Sequence, residues 1–71
     1  MVEFNTRDYE MAHGHKPRGE DSWAFYFDAR PEQRTFENAW WADGFLTYGE
    51  AKQQARAEAV RRGASRVYVA P

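Results

Sequence analysis

The segment with the densest set of potentially reactive side chains lies at residues 13–19. It runs His-Gly-His-Lys-Pro-Arg-Gly. Glycine permits close backbone approach, so this basic loop could present amides and cations to a phosphate or a carboxylate. It lacks the spacing and the following helix of a phosphate-binding loop, and a solvated loop is the alternative interpretation. We predict that the basic loop contacts a partner through four side chains: His13, His15, Lys16 and Arg18.

The two histidines of the basic loop could also bind a metal ion. Their spacing of two places His13 and His15 on one side of an extended strand, with Glu10, Glu20 or Asp21 as further ligands. Catalytic metal sites usually have three protein ligands, and the pair has no clear third ligand at a known spacing. We therefore predict no metal and no other cofactor.

Residues suited to covalent or acid–base catalysis are few. The chain has no cysteine, and neither Ser22 nor Ser65 lies in a nucleophile motif. Glu32, Glu37 and Asp43 could form carboxylate pairs, but a domain of 71 residues has little room for a pocket that shifts their pKa values. We predict that the chain is not an enzyme; an enzyme or metal protein built around the two histidines is the third possibility.

Composition predicts one domain over residues 1–71, located in the cytoplasm. Aromatic residues make up 17% of the chain, which suits the dense core that so short a domain needs. The absence of cysteine fits a reducing compartment. Ten basic and eleven acidic residues give a net charge of −1, so we expect weak or no direct binding of nucleic acid. No segment approaches the roughly 20 apolar residues of a membrane helix, so we expect no membrane partner.

The clearest element is a helix at residues 48–62, with its caps at 47 and 63. Thr47 and Glu50 have the spacing of a capping box, and Gly63 can take the left-handed conformation that ends a helix. Small or amphipathic residues recur at spacings of three and four: Tyr48, Ala51, Ala55, Ala59 and Arg62. Because the alanine side is small, it can lie close to a sheet of large residues.

The remaining segments predict strands. Residues 22–42 are predicted as a β-hairpin, with 29–34 as its connection and 35–42 as the returning strand. Residues 66–69 are predicted as a short strand. Residues 1–21 are predicted as an irregular strand, with strand character at 2–4 and 9–13, and the basic loop.

The predicted fold is α+β and two-layered, in the order β-β-β-α-β. An antiparallel sheet of three to four strands carries one helix on one face, so the other face meets solvent, a partner or a second copy. Tyr26, Tyr68 and one of the adjacent Trp40 and Trp41 point there. The sequence does not decide which indole is buried, and we include Trp41 among the predicted partner-binding residues. This face is our second predicted partner-binding surface, and its surface or edge could also form a homodimer. Singly exposed aromatic residues are common, so a plain solvated face is the alternative.

Two resemblances bear on function. Trp23–Phe27, Phe36 and the run from Gly44 to Ala51 resemble the arm-type DNA-binding domains of phage integrases, over about residues 22–60. That resemblance implies a three-stranded sheet before a helix, with basic side chains of the sheet contacting DNA. Here the corresponding strands offer mainly Arg30 and Arg34, and we include both among the predicted partner-binding residues.

The basic loop leading into Ser22–Phe25, with Tyr48–Lys52 and Val67–Val69, is similar to small uncharacterised proteins of phages and plasmids. That class includes anti-CRISPR inhibitors of host defence, many with one helix on a small antiparallel sheet. The resemblance implies a non-enzymatic inhibitor, located in the cytoplasm of a host cell, that binds and occludes a host protein or nucleoprotein complex such as a CRISPR effector. The alternative is a small DNA-binding module.

Overall fold

The computed structural model describes all 71 residues. In chain order the elements are β1 (Glu3–Asn5), α1 (Arg7–His13), β2 (Glu20–Asp21), β3 (Ala24–Phe27), β4 (Trp40–Trp41), β5 (Leu46–Thr47), α2 (Tyr48–Arg62) and β6 (Arg66–Val69). Two single 3-10 turns, Pro31–Gln33 and Phe36–Asn38, lie between β3 and β4. No helix combines the length and the apolar character needed to cross a membrane. The predicted α+β class is confirmed.

Helix α2 has the bounds and caps that its sequence predicts. The Thr47 hydroxyl accepts a hydrogen bond from the Glu50 amide at 3.2 Å, and the Glu50 carboxylate accepts from the Thr47 amide at 3.0 Å. Gly63 closes the helix with a φ of 71°, in the left-handed region that glycine adopts at little cost. The local sequence alone therefore positions both ends of this helix.

The main sheet has the strand order β1-β6-β3-β4, while β2 and β5 form a separate antiparallel pair. Strand β3 runs antiparallel to both of its neighbours, with Phe25 opposite Val69 on one side and Trp40 on the other. Strand β1 runs parallel to β6. The sheet is therefore mixed, and the prediction of an antiparallel sheet is wrong at this edge, because the N-terminal strand runs in the same direction as the C-terminal strand.

Strand register divides the sheet side chains between two faces. The face under α2, here called the α2 face, carries Phe4, Phe25, Phe27, Trp40, Val67 and Val69. Phe25, Val67 and Val69 are fully buried against Ala51, Ala55 and Ala59, which are fully buried as well. The prediction that α2 packs through its alanines is confirmed, as is the inward direction of both valines.

Residues 7–13 form a helix rather than the strand predicted at 9–13. Asp8 and Glu10 stand in its first turn and His13 in its last, where helix electrostatics favour them, and Gly14 ends it with a φ of 75°. The alternation of Tyr9, Met11 and His13 suggested a strand, but Glu, Met and Ala are all good helix formers. The fold therefore has two helices, not one.

Helix α1 lies over the opposite side of the sheet, here called the α1 face. Tyr26 points to this side, yet it is only 5% exposed. Asp8 of α1 pairs with Arg34 at 2.8 Å, and the guanidinium of Arg34 lies 3.9 Å from the ring centroid of Tyr68, which is opposite Tyr26 in the sheet. The expectation that one face stays uncovered is wrong for this part of the sheet.

The predicted hairpin at 22–42 pairs correctly but is less regular than expected. Trp40 and Trp41 alone form the returning strand, whereas residues 36–38 make a 3-10 turn. The adjacent indoles point to opposite faces, as strand geometry requires, with Trp40 packed near Phe25 and Phe27 on the α2 face. Trp41 emerges on the other side and is 45% exposed.

Candidate functional site

A cleft of about 310 Å³ opens on the α1 face, where α1 stops short of β4. Five aromatic residues line it: Tyr9, Trp23, Tyr26, Phe36 and Trp41. Its polar lining consists of His13, Asp21 and Ser22, and small apolar residues from β3, from the segment before β4 and from residues 70–71 complete it. We call this the aromatic cleft, and it is the candidate site.

The outer wall of the aromatic cleft is an exposed aromatic pair. Phe36 and Trp41 pack edge to face, with ring centroids 5.4 Å apart and an interplanar angle of 64°. Phe36 is 76% exposed and Trp41 is 45% exposed. Exposed rings of this size, adjacent to each other and to a cleft, are typical of interaction surfaces rather than of the scattered apolar residues on any protein surface.

The inner wall of the aromatic cleft joins it to the core. Trp23 is buried, and its indole N–H donates to the Leu46 carbonyl at 2.9 Å. Its ring centroid lies 5.5 Å from that of Tyr9 in α1 and 5.1 Å from that of Tyr48 in α2. Because these rings are fixed by packing and by the hydrogen bond, the inner wall is preformed.

The two surfaces predicted from sequence meet at His13. This residue ends α1, and its ring stacks on Tyr9 with centroids 4.0 Å apart and an interplanar angle of 19°. His15 lies 5.8 Å from Tyr9, and its Nδ1 donates to the Lys16 carbonyl at 2.8 Å. The start of the basic loop is therefore a border of the aromatic cleft, rather than a separate site.

The rest of the basic loop projects outward. Lys16 and Arg18 are exposed and make no ion pair. The loop is tied at its far end, where the Gly19 carbonyl accepts from the Tyr48 amide at 3.1 Å and β2 pairs with β5. The two cations are thus free to meet a partner that reaches beyond the cleft.

The two histidines do not form a recognisable metal centre. The ring centroids of His13 and His15 lie 5.9 Å apart, and no third His, Asp or Glu joins them in a group that could hold a metal ion. Glu10, one of the predicted oxygen ligands, instead accepts a hydrogen bond from the Thr6 hydroxyl.

Tyr26, Tyr68 and Arg34 are not free to serve as the partner contacts that we predicted. Burial, and then the nearby Asp8 carboxylate, raise the pKa of Tyr26 above its usual value. Arg34 donates to Asp8 and also to the Ala29 carbonyl at 3.2 Å while it covers Tyr68. These groups hold α1 to the sheet, so their role in this structure is structural, with Tyr26 also forming part of the cleft wall.

Arg30 stands apart from the aromatic cleft. It lies after β3, and its guanidinium meets Glu32 at 3.5 Å with both side chains well exposed. Of the nine predicted partner-binding residues, the structure brings three into the cleft lining: His13, Tyr26 and Trp41.

A second depression lies beside the edge strand β1, between Glu3, Arg7, Met11 and Arg66. It is large, about 850 Å³, but shallow and mostly polar. Most of its charged groups have partners within the chain, since Arg66 meets Glu3 at 3.5 Å and the Glu10 carboxylate accepts from the Thr6 hydroxyl, whereas the Arg7 guanidinium makes no ion pair. We do not consider it the functional site, because it has neither a fixed apolar wall nor an unpaired buried group.

Several residues of the cleft were not predicted from the sequence as site residues. Phe36 was assigned to a strand, and Tyr9 and Trp23 to the fold alone. Asp21 was considered only as a metal ligand. The one available signal was the polar context of Phe36, which is followed by Glu37 and Asn38, since such a context is unusual for a core aromatic residue.

Comparison with protein-family models, with curated proteins and with solved structures found no match to this chain.

Proposed function

We propose that this chain is a non-enzymatic binding protein and that the aromatic cleft is its contact with a protein partner. The observation that carries the proposal is the exposed pair of Phe36 and Trp41 beside a preformed cleft. Large aromatic side chains near the centre of an interface commonly provide most of its binding energy. The cations Lys16 and Arg18 would lie at the rim, where charges steer association more than they strengthen it.

The side chains around the cleft support binding rather than catalysis. Ser22 makes its hydrogen bond through its backbone amide, to Asp21 at 2.7 Å, and its hydroxyl contacts neither His13 nor Asp21. His13 is held by a stacked tyrosine and not by a carboxylate that would orient it as a base. The arrangement offers shape and aromatic surface, and it lacks the linked nucleophile, base and orienting group of a covalent catalyst.

The partner that we propose is a host nucleoprotein complex such as a CRISPR effector, which the protein would inhibit by occupying a functional surface. This part rests on the resemblance of the sequence to small phage and plasmid proteins. The aromatic cleft adds a surface suited to protein contact. Because the chain carries a net charge of only −1, its copies do not repel one another as strongly as those of a highly charged protein would.

The proposal is tested by phage plating on bacteria that carry defined CRISPR systems and express this chain. We expect the wild-type chain to restore plaque formation against at least one system. Trp41→Ala together with Phe36→Ala should abolish the rescue, because both changes remove exposed aromatic surface from the cleft. Val60→Ala is the matched control, since Val60 is 68% exposed on α2 and lies outside the cleft.

Rescue by the double variant at the wild-type level would exclude the aromatic cleft as the contact. Absence of rescue against every system, with the protein folded and expressed, would exclude the inhibitor role. Circular dichroism and a urea titration of the double variant verify its folding.

DNA binding is the alternative, and the chain's own contacts disfavour it. Of the two arginines that the integrase resemblance implies as DNA contacts, Arg34 is held by Asp8, Ala29 and Tyr68, and Arg30 is exposed but meets Glu32 at 3.5 Å. We expect no micromolar binding of random duplex DNA in fluorescence anisotropy at physiological salt. Binding that falls steeply as salt rises would instead support the DNA-binding alternative.

A further inference from the structure

Lysine and arginine side chains of the chain itself lie over three aromatic rings of the main sheet. Arg34 lies over Tyr68 at 3.9 Å, Arg62 over Phe27 at 4.4 Å, and Lys52 and Arg56 over Phe4 at 5.0 and 5.2 Å, each measured to the ring centroid. Three half-buried rings of the sheet are thus each covered by a cation of the same chain. Such contacts are favourable because the ring face carries a partial negative charge.

The aromatic cleft lacks a cation of its own. No lysine or arginine lines it, and no cation of the chain lies over Phe36, Trp41 or Trp23. Its one side-chain carboxylate is Asp21, whose Oδ1 accepts from the Ser22 amide at 2.7 Å while Oδ2 has no partner in the chain. The cleft therefore combines negative ring faces with an unpaired carboxylate oxygen, a charge pattern complementary to a cation.

We propose that the aromatic cleft binds an arginine side chain of the partner protein. The guanidinium is planar and weakly hydrated, so it can stack on an indole and also donate in its plane to a carboxylate. Trp41 provides the exposed indole and Asp21 the carboxylate. A volume of about 310 Å³ suits one long side chain better than a large cofactor. This inference rests on the proposed function, because it specifies the partner group that the same cleft would accept.

The test uses two small probes and the full chain. N-acetyl-arginine amide supplies the guanidinium, and N-acetyl-citrulline amide has nearly the same shape without the charge. Both are titrated at pH 8 into ¹⁵N-labelled protein, and amide and indole N–H signals are followed by NMR. The Trp41 indole signal is assigned with Trp41→Phe. We expect saturable shifts at Trp41 and Asp21, with the arginine probe binding about threefold or more tightly than the citrulline probe.

A charge variant separates the carboxylate from the rings. Asp21→Asn keeps the acceptor for the Ser22 amide but removes the charge, so it should weaken the arginine probe about two- to fivefold and leave the citrulline probe unchanged. Asp43→Asn is the control, because Asp43 is exposed and does not line the cleft. We expect its affinities to equal those of the wild type.

Three results would overturn the inference. The first is equal affinity for the two probes, and the second is an arginine affinity that Asp21→Asn leaves unchanged. The third is saturable binding of a short oligothymidine to the same residues in place of the arginine probe, which would make the cleft a stacking site for nucleobases. None of these depends on phage rescue, so failure of the inhibitor role and failure of arginine recognition are distinguished.

Discussion

The two faces of the main sheet are closed by different means. On the α2 face, a helix of 15 residues packs on the middle of the sheet, and its alanines let Phe25, Val67 and Val69 reach complete burial. On the α1 face, a helix of seven residues covers Tyr26 and leaves Trp41 and Phe36 in contact with solvent. The difference in helix length thus sets where apolar surface remains available for a partner.

The residues that contribute most to stability and the residues that we propose for binding therefore lie on different faces of the same sheet. The α2 face concentrates the fully buried area, from which most of the hydrophobic free energy of folding derives. The aromatic cleft on the α1 face is built on rings that the α2 face already holds in place, such as Trp23. A binding surface can therefore change at Phe36 or Trp41 with little effect on the fold.

The largest expected effect compares one phenylalanine from each face. Phe25→Ala removes a fully buried ring and should destabilise the protein by about 3–5 kcal/mol, which is a large share of the stability of a domain this size. Phe36→Ala removes a ring that is 76% exposed and should cost less than about 1 kcal/mol. Urea unfolding followed by circular dichroism measures both. Similar losses for the two variants would refute the division between the faces.

Overpacking under α2 gives the next largest effect. Ala55 is fully buried, so Ala55→Leu should force the helix away from the sheet and cost about 1–3 kcal/mol. Ala57→Leu is the control, because Ala57 is exposed on the same helix and leucine has nearly the helix propensity of alanine. A urea midpoint that Ala55→Leu leaves unchanged would show that the helix–sheet contact has room that the structure does not indicate.

A smaller effect, with a definite dependence on pH, is expected at the margin of the α2 face. Glu58 bonds to Arg62 at 2.7 Å and to Arg61, and these two bonds lower the pKa of the Glu58 carboxyl below its ordinary value of 4.5. A carboxyl with a lowered pKa stabilises the folded state above the ordinary value, and this contribution is lost as the pH falls through the folded value.

Glu58→Gln should therefore lower the urea midpoint at pH 7. The difference in urea midpoint between the variant and the wild type should become smaller as the pH falls below 4.5. Glu32→Gln is the control, because its pair with Arg30 is exposed and should contribute little at any pH. A difference in urea midpoint for Glu58→Gln that stays constant down to pH 2 would mean that the charge of the carboxylate does not stabilise the fold.

The smallest effect is expected at Tyr48, where the two faces meet beside Trp23. The Tyr48 hydroxyl oxygen is buried without a hydrogen-bond partner, and burial raises the pKa of this phenol above its usual value. Tyr48→Phe removes an unsatisfied group and should leave stability unchanged or raise it by up to about 1 kcal/mol. Thermal unfolding measures the change, and a clear loss would show that the hydroxyl has a bound partner in solution.

The elements with strong local signals were those that the sequence predicted well. The capping box at Thr47 and the glycine at 63 defined α2, and the alternation of Val67 and Val69 defined β6. Helix α1 was missed although Gly14 and the acidic first turn were visible, since period-two alternation outweighed them. Seven residues contain too few turns of helix for the spacing of apolar residues to decide between the two structures.

The aromatic cleft could be predicted only in part, because it depends on contacts between distant segments. One outward-facing indole was predicted on the returning strand, and only the structure shows that it is Trp41 rather than Trp40. Helix α1 buries Tyr26 and brings His13 to the cleft. Its position is fixed by the ion pair of Asp8 with Arg34 and by the pairing of the preceding strand, β1, with β6. Neither pairing has a local signature, since the first joins residues 26 positions apart.

The central position of β6, the last strand of the chain, also has a consequence for folding during synthesis on the ribosome. Strand β6 lies between β1 and β3, so the middle of the sheet is assembled from residues 66–69. Contacts between segments this far apart in sequence are slow to close. During synthesis, Phe25 and Phe27 emerge long before Val67 and Val69, their neighbours across the sheet. The nascent chain therefore cannot complete the burial of Phe25 until β6 leaves the exit tunnel.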